Sequence, residues 1–234
     1  MDPLLISAAS GMKARMESLD MLANNIANSG TAGFKSDQEF YGLYKDQLPV
    51  IQTQWTDFSQ GTLTQTGNPL DLALNGKGMF ALNSPNGVIY TRTGTFQVSK
   101  NDQLADGSGN TLRNVLDSGN PITVDPTRPV DISKTGVVSQ GGQQLGQIEV
   151  GSPDTQALAK LGSTNFSLTD KSAAVPAATG ADVLQGQLEQ SNVPVSESAV
   201  KLVGIMRQFE MLQKAISLDT DMTKQAIQEV AKVS

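Results

Sequence analysis

The side chains with the chemistry to react are few in this 234-residue chain, and their spacing argues against a catalytic centre. There is no cysteine and no histidine, which removes thiol nucleophiles, disulfides, the usual zinc ligand sets and the commonest general base near neutral pH. Ser99-Lys100 and Ser133-Lys134 are adjacent pairs, and neighbours on a strand point to opposite faces, so neither makes a catalytic dyad. Gly76-Lys77-Gly78 has residue types found in phosphate-cradling loops but lacks the remaining spacing and the following Ser or Thr, and reads as a turn. Asp102, Asp106 and Asn110, with Gly107 and Gly109, offer oxygen ligands without the spacing of an EF-hand loop or its closing Glu. They read as β-turn chemistry. A carboxylate pair acting on sugars would need no histidine, but no Asp or Glu pair is singled out by its surroundings. No catalytic residue, cofactor-binding residue, cofactor or metal site is expected.

Composition narrows the partners. A net charge of −6 and a pI near 4.6, with no run of Lys or Arg, argue against nucleic acid or an anionic membrane surface. No segment has the apolar length to span a bilayer, and Met1-Asp2-Pro3-Leu4-Leu5-Ile6-Ser7 lacks the basic start of a secretory signal. The expectation is a chain that stays in the cytoplasm or leaves by a route that does not cleave its N-terminus. With 38% hydrophobic residues, 5% aromatic residues and 22 glycines, the core should be modest and the turns many.

The elements that would position any site fall into three stretches. Near the start, Leu5, Met12, Leu19 and Ile26 recur seven apart, with Ala9, Met16 and Ala23 four residues after the first three. That predicts a long amphipathic helix ended by Asn24-Asn25 and then Asn28-Ser29-Gly30. After Pro194, Val195, Leu202, Phe209, Ile216 and Val230 share one seven-residue spacing, and Ile205, Leu212, Ala226 and Val233 a companion one. This second helix is weakened by Gly204 and interrupted by Asp219 and Thr223, so it should rely on packing partners.

Between the helices the pattern changes to short runs divided by turn residues. Met79-Phe80-Ala81-Leu82 and Val88-Ile89-Tyr90 flank Ser84-Pro85-Asn86-Gly87 in one hairpin. Val137-Val138 and residues 148–150 flank Gly141-Gly142 in a second, and Lys100-Asn101-Asp102 marks a third turn. Trp55 and Phe58, before this module, read as anchors onto it, and residues 172–179 as an exposed connection. The fold class is α+β: a mainly-β central domain with long N- and C-terminal helices that pair as a coiled-coil-like hairpin. The apolar surface of that hairpin exceeds what two helices can hide, which implies neighbours.

The segment Leu22-Ala23-Asn24-Asn25-Ile26-Ala27-Asn28, followed by Ser29-Gly30-Thr31-Ala32-Gly33-Phe34-Lys35, resembles the N-terminal signature of the flagellar axial proteins of rod and hook. Leu70-Asp71-Leu72-Ala73-Leu74-Asn75-Gly76-Lys77-Gly78-Met79-Phe80 and Tyr90-Thr91-Arg92-Thr93-Gly94-Thr95-Phe96 are similar to the start of that family's β domain. Gln185-Gly186-Gln187-Leu188-Glu189-Gln190-Ser191-Asn192-Val193 is similar to the segment that introduces its C-terminal helix. Arg207-Gln208-Phe209-Glu210-Met211 and the short spacer between Phe34 and Gly61 look more like the proximal-rod branch than the distal-rod branch.

The resemblance implies a structural subunit of the flagellar basal-body rod, not an enzyme, exported by the flagellar type III apparatus and transmitting torque from motor to hook in the periplasm-spanning rod. Its partners would be other rod subunits and further copies of itself, without nucleic acid or membrane insertion. The expected organisation is an axial helix and motif at 1–35, a linker at 36–60, a β-rich domain at 61–180 and a second axial helix at 181–234. Leu5, Met12, Leu19, Ile26, Leu202, Phe209, Leu212 and Ile216 are the expected axial contacts, and Asn24, Asn25, Asn28, Gly33 and Phe34 the family motif. The asparagines either end the helix or bond between subunits. A distal-rod or hook-type subunit is the alternative within the family. Outside it, the alternative is a secreted adhesive or carbohydrate-binding β module, which one Trp and three Tyr make a poor match.

Overall fold

The computed structural model describes residues 3–43 and 49–233, with side chains described at 6, 8–39, 54–222, 224, 225 and 228. The chain divides into two compact units, one from residues 1–27, 36–57 and 193–234 and the other from 28–35 and 58–192.

The first unit holds α1 (Pro3–Ala27), the strands β1 (Asp37–Leu43) and β2 (Pro49–Thr56), and α2 (Val195–Val233). Proline at the first helical position of α1 sacrifices only an amide that has no intrahelical partner there. In α2 the Ser198 amide donates to the Pro194 carbonyl at 2.9 Å, and Glu197 lies in the first turn, where the helix dipole favours an anion. The two helices pack together as the expected hairpin. The β1–β2 pair is antiparallel, from Asp37 opposite Thr56 to Leu43 opposite Pro49, with a bulge between Phe40 and Tyr41. The Asp57 amide to the Ser36 carbonyl at 2.8 Å, and Thr56 Oγ1 to Asp37 Oδ1 at 2.8 Å, close its open end.

In the second unit the strands are β3 (Leu63–Gln65), β4 (Leu72–Asn75), β5 (Met79–Ser84), β6 (Gly87–Thr91), β7 (Gln97–Val98), β8 (Leu104–Ala105), β9 (Thr111–Leu112) and β10 (Asp131–Ile132). There follow β11 (Val137–Gln140), β12 (Gln143–Gln147), β13 (Val150–Gly151), β14 (Leu158–Leu161), β15 (Asn165–Leu168), β16 (Asp182–Gln185) and β17 (Gln187–Glu189). The largest sheet runs β14-β15-β6-β5-β9-β8-β7, with β13 also pairing β5. Its centre, β5, is buried on both faces. Phe80 and Leu82 enter the main core with Leu74, Leu112 and Ile148, while Met79 and Ala81 join Tyr90 and Phe166 on the other side. A strand covered on both faces needs a continuous apolar run, which Met79-Phe80-Ala81-Leu82 supplies.

The three expected turns form. β5 and β6 pair from Phe80 opposite Thr91 to Ser84 opposite Gly87, and β7 pairs β8 across Asp102, whose φ is 58°. Gly141 and Gly142, with φ of 56° and 81°, join β11 to β12 as both central residues of a tight hairpin turn must. The returning strand is residues 143–147, so Ile148 leaves that hairpin and Val150 begins the pairing with β5. Phe58 anchors edge-on against Phe166, ring centres 5.0 Å apart, and Trp55 lies on β2, 48% exposed. β16 pairs with β4 and β17 with β3, so the last strands of the unit close on its first.

Candidate functional site

The hairpin is built on small residues. The buried stripe of α1 is Ala8, Gly11, Ala14, Ser18, Leu22 and Asn25, with the Ser18 hydroxyl donating to the Ala14 carbonyl at 3.0 Å. Met12, Leu19 and Ile26 lie half-buried beside that stripe, and Ala9, Met16 and Ala23 are exposed. On α2, Leu202, Phe209, Leu212 and Ile216 are all half-buried together with Ile205. The side chains of Leu5, Thr223, Ala226, Val230 and Val233 lie outside the described residues. The end of α1 and the start of α2, with the first residues of β1, line a cavity of about 380 Å³ that includes Arg15, Leu22, Asn25, Glu39, Lys201 and Ile205.

The motif asparagines divide. Asn25, 3% exposed, uses both ends of its carboxamide on the backbone of one β1 residue: Nδ2 donates to the Asp37 carbonyl at 2.8 Å and the Asp37 amide donates to Oδ1 at 3.0 Å. It ties the end of α1 to the start of β1 within one chain. Asn28 takes the Thr31 amide on its carbonyl at 3.0 Å and the Thr31 hydroxyl on Oδ1 at 3.3 Å, which turns the chain after the helix. Asn24 is exposed on α1.

Gly33, Phe34 and Lys35 belong to the second unit and meet a charge cluster there that the sequence did not reveal. Gly33 has φ of 70°, and a β-carbon on it would fall 2.4 Å from the Arg92 carbonyl carbon, so backbone shape and lack of space both demand glycine. Its amide donates to the Glu189 carbonyl at 2.7 Å. Phe34 is fully buried under Lys160, whose Nζ sits 4.5 Å from the ring centre.

Glu189, 1% exposed, is the hub. Oε1 accepts from Lys35 Nζ at 2.6 Å and from the Gly61 amide at 2.9 Å, and Oε2 accepts from an Arg92 guanidinium nitrogen at 3.1 Å. Lys35 also donates to the Ser59 carbonyl at 2.6 Å, and Arg92 to the carbonyls of Leu74 and Gly76. Burial pushes the Arg92 pKa down, and the Glu189 charge and hydrogen bond oppose that shift. One carboxylate between two cations, with backbone carbonyls taking remaining donors, makes a satisfied polar cluster. It joins residues 33–35, 59–61, the β4–β6 region and β17. Each partner carries a charge whose mate is far away in sequence, so no local pattern marks the set.

Among the described residues no group of three or more His, Cys, Asp or Glu side chains could hold a metal ion, and no helix is long and apolar enough to cross a membrane. Asp106 does turn chemistry: its carboxylate accepts from the Ser108 and Asn110 amides, both at 2.8 Å, and from Asn110 Nδ2.

The architecture is thus an α+β protein in which a mainly-β module is inserted into a helical hairpin that bears half-buried apolar rows. Three family models match in order along it: "Flagella basal body rod protein" over residues 5–35, "Flagellar hook protein FlgE/F/G D1 domain" over 73–140, and "Flagellar basal body rod FlgEFG protein C-terminal" over 184–229. The flagellar basal-body rod protein FlgF of Caulobacter vibrioides is 33% identical over the whole of both chains. FlgF of Mesorhizobium japonicum is 31% identical over 94% of this chain and 96% of its own. The rod protein FlgG of Buchnera aphidicola is 29% identical over 97% of this chain and all of its own. The chain belongs to the flagellar basal-body rod and hook family FlgE/F/G.

Proposed function

We propose that this chain is a structural subunit of the proximal flagellar rod, polymerising through α1 and α2 and carrying torque towards the hook. The observation that supports polymerisation is the mismatch between the helices. α2 has 39 residues and α1 has 25, so at about 1.5 Å per residue α2 is longer by roughly 21 Å and α1 cannot cover it. Leu5, Met12, Leu19 and Ile26, with Leu202, Phe209, Leu212 and Ile216, make the axial contacts on this reading. The Glu189 hub ties residues 33–35 and β17 to one point within the β module. Proximal placement rests on the two FlgF relatives above and on Arg207-Gln208-Phe209-Glu210-Met211. Other rod subunits and the flagellar type III export apparatus are the partners of this reading.

Deleting the gene in its native host, with a swimming assay and electron microscopy of purified basal bodies, tests it. Non-motile cells with basal bodies arrested before a complete rod are the expected result. Arrest at the distal rod would replace the proximal placement with a distal one. Intact rods and normal swimming would overturn the reading.

A further inference from the structure

Gly204 stands in the interior of α2, a helix of 39 residues, where only proline suits a helix less. Elsewhere in the chain glycine answers a close approach: a β-carbon would stand 2.4 Å from backbone at Gly33 and 1.5 Å from it at Gly94. Gly204 is different, because nothing lies within 4 Å of the point its β-carbon would take. Alanine would fit there and hold the helix better, so packing within the chain does not call for glycine. What glycine adds at that position is a backbone that bends more readily.

The space to bend into is beside it. Gly204 and Ile205 line the cavity of about 380 Å³ whose other walls include Met21 and Leu22 of α1 and Asp37 and Glu39 of β1. The charges of that lining are Arg15 on α1, the two carboxylates on β1 and Lys201 on α2, and Lys201 also pairs with exposed Glu197 at 2.7 Å. Swinging the turns before Gly204 into the cavity takes half-buried Met21 and Ile205 further from water and brings Lys201 towards the β1 carboxylates, with no packed side chain in the way. We infer that Gly204 is a hinge about which the first turns of α2 close onto α1 and β1, giving the hairpin an open and a closed state. The hinge is a property of one chain and does not depend on the assembly reading above.

The absence of native cysteine makes the test direct. Ala23→Cys on α1 and Val200→Cys on α2, both at exposed positions, take a pair of spin labels in the full-length chain. Pulsed electron resonance on dilute protein should show two label distances, the shorter belonging to the closed state. Gly204→Ala in that background should lower the share of the shorter distance about fivefold, the factor by which a helix interior prefers alanine to glycine. A single distance in the chain with Gly204, or a short distance as populated with alanine as with glycine, would overturn the hinge. Amide exchange gives a second readout without labels. The amides of residues 205–208 bond back across Gly204, so Gly204→Ala should slow their exchange about fivefold while those of 212–216 change less than about twofold. Even slowing along the whole of α2 would mean that alanine merely strengthens the helix, and would count against a hinge at Gly204.

Discussion

The two units spend their apolar residues differently. In the β module Leu74, Phe80, Leu82, Leu112 and Val138 are all fully buried, and the buried Lys35, Arg92 and Glu189 satisfy one another. In the hairpin, Ser198 is the one buried residue among the described side chains of α2, while six Val, Met and Leu side chains of that helix between Val200 and Met222 are at least 49% exposed. One region is complete within a single chain, and the other leaves apolar side chains exposed that neighbours would cover on the proposed reading. A helix whose packing is supplied by association gains order by mass action, so the hairpin should stiffen as copies assemble while the module is already formed.

The largest way to test that contrast is Glu189→Ala. It leaves Lys35 and Arg92 buried without their shared anion, and removing one partner of a buried pair costs about 3–5 kcal/mol. Amide exchange in the full chain should show that loss across β5 and β6 with little change in α1 and α2. A loss below about 1 kcal/mol would mean that the hub does not hold the module together. Next comes Gly94→Ala. A β-carbon there would stand 1.5 Å from the Leu72 carbonyl oxygen, at the point where the Leu72 amide donates to the Gly94 carbonyl at 2.9 Å. β4 would have to move, for roughly 1–3 kcal/mol of lost stability in urea unfolding of the full chain.

These two positions also mark how far the sequence could be read. The hairpin turns were legible because Pro85-Asn86-Gly87, Gly141-Gly142 and Asn101-Asp102 carry their conformational preference locally. The helices were legible from their repeats. The face by which α1 packs was not, since Ala8, Gly11, Ala14 and Ser18 leave little trace in an apolar periodicity; the larger residues that do leave one lie beside that stripe. The β1–β2 pair falls in a stretch read as linker, where Gln52-Thr53-Gln54 breaks any apolar alternation. The hub was invisible for a different reason. Lys35, Arg92 and Glu189 become neighbours only after β17 has returned to β3, although Gly33-Phe34-Lys35 and Gln187-Leu188-Glu189 both lie in segments marked by the family resemblance.

Leu19→Asp sharpens the contrast from the side of the hairpin. Leu19 is half-buried on α1, so a charge there should shift the stability of the β module by less than about 0.5 kcal/mol. Incorporation into rods should nevertheless be lost, because the apolar row is interrupted where a neighbour would cover it. A strain that swims with normal rods on this variant would remove Leu19 from the axial contacts, and a parallel fall in β5 protection would show that the two regions are not energetically separate.

The smallest expected effect lies at the surface of the module, where a change should stay local. The Thr127 hydroxyl, donating to Asp125 Oδ1 at 2.6 Å, and then the Thr127 amide at 2.9 Å hold the Asp125 carboxyl below its ordinary pKa. A folded pKa below the unfolded one stabilises the fold above the unfolded value, and that contribution disappears as pH falls through the folded value. Thr127→Ala removes the hydroxyl and keeps the amide, so the Asp125 pKa should rise part of the way back in an NMR titration of its side-chain carboxyl. Asp170 is an internal control, since Ser172 builds the same turn with a hydroxyl at 2.6 Å and an amide at 3.0 Å and depresses that carboxyl likewise. Asp125 should move and Asp170 should stay. Movement of both would mean that the variant perturbs the module as a whole, and movement of neither that the hydroxyl is not what holds the carboxyl down.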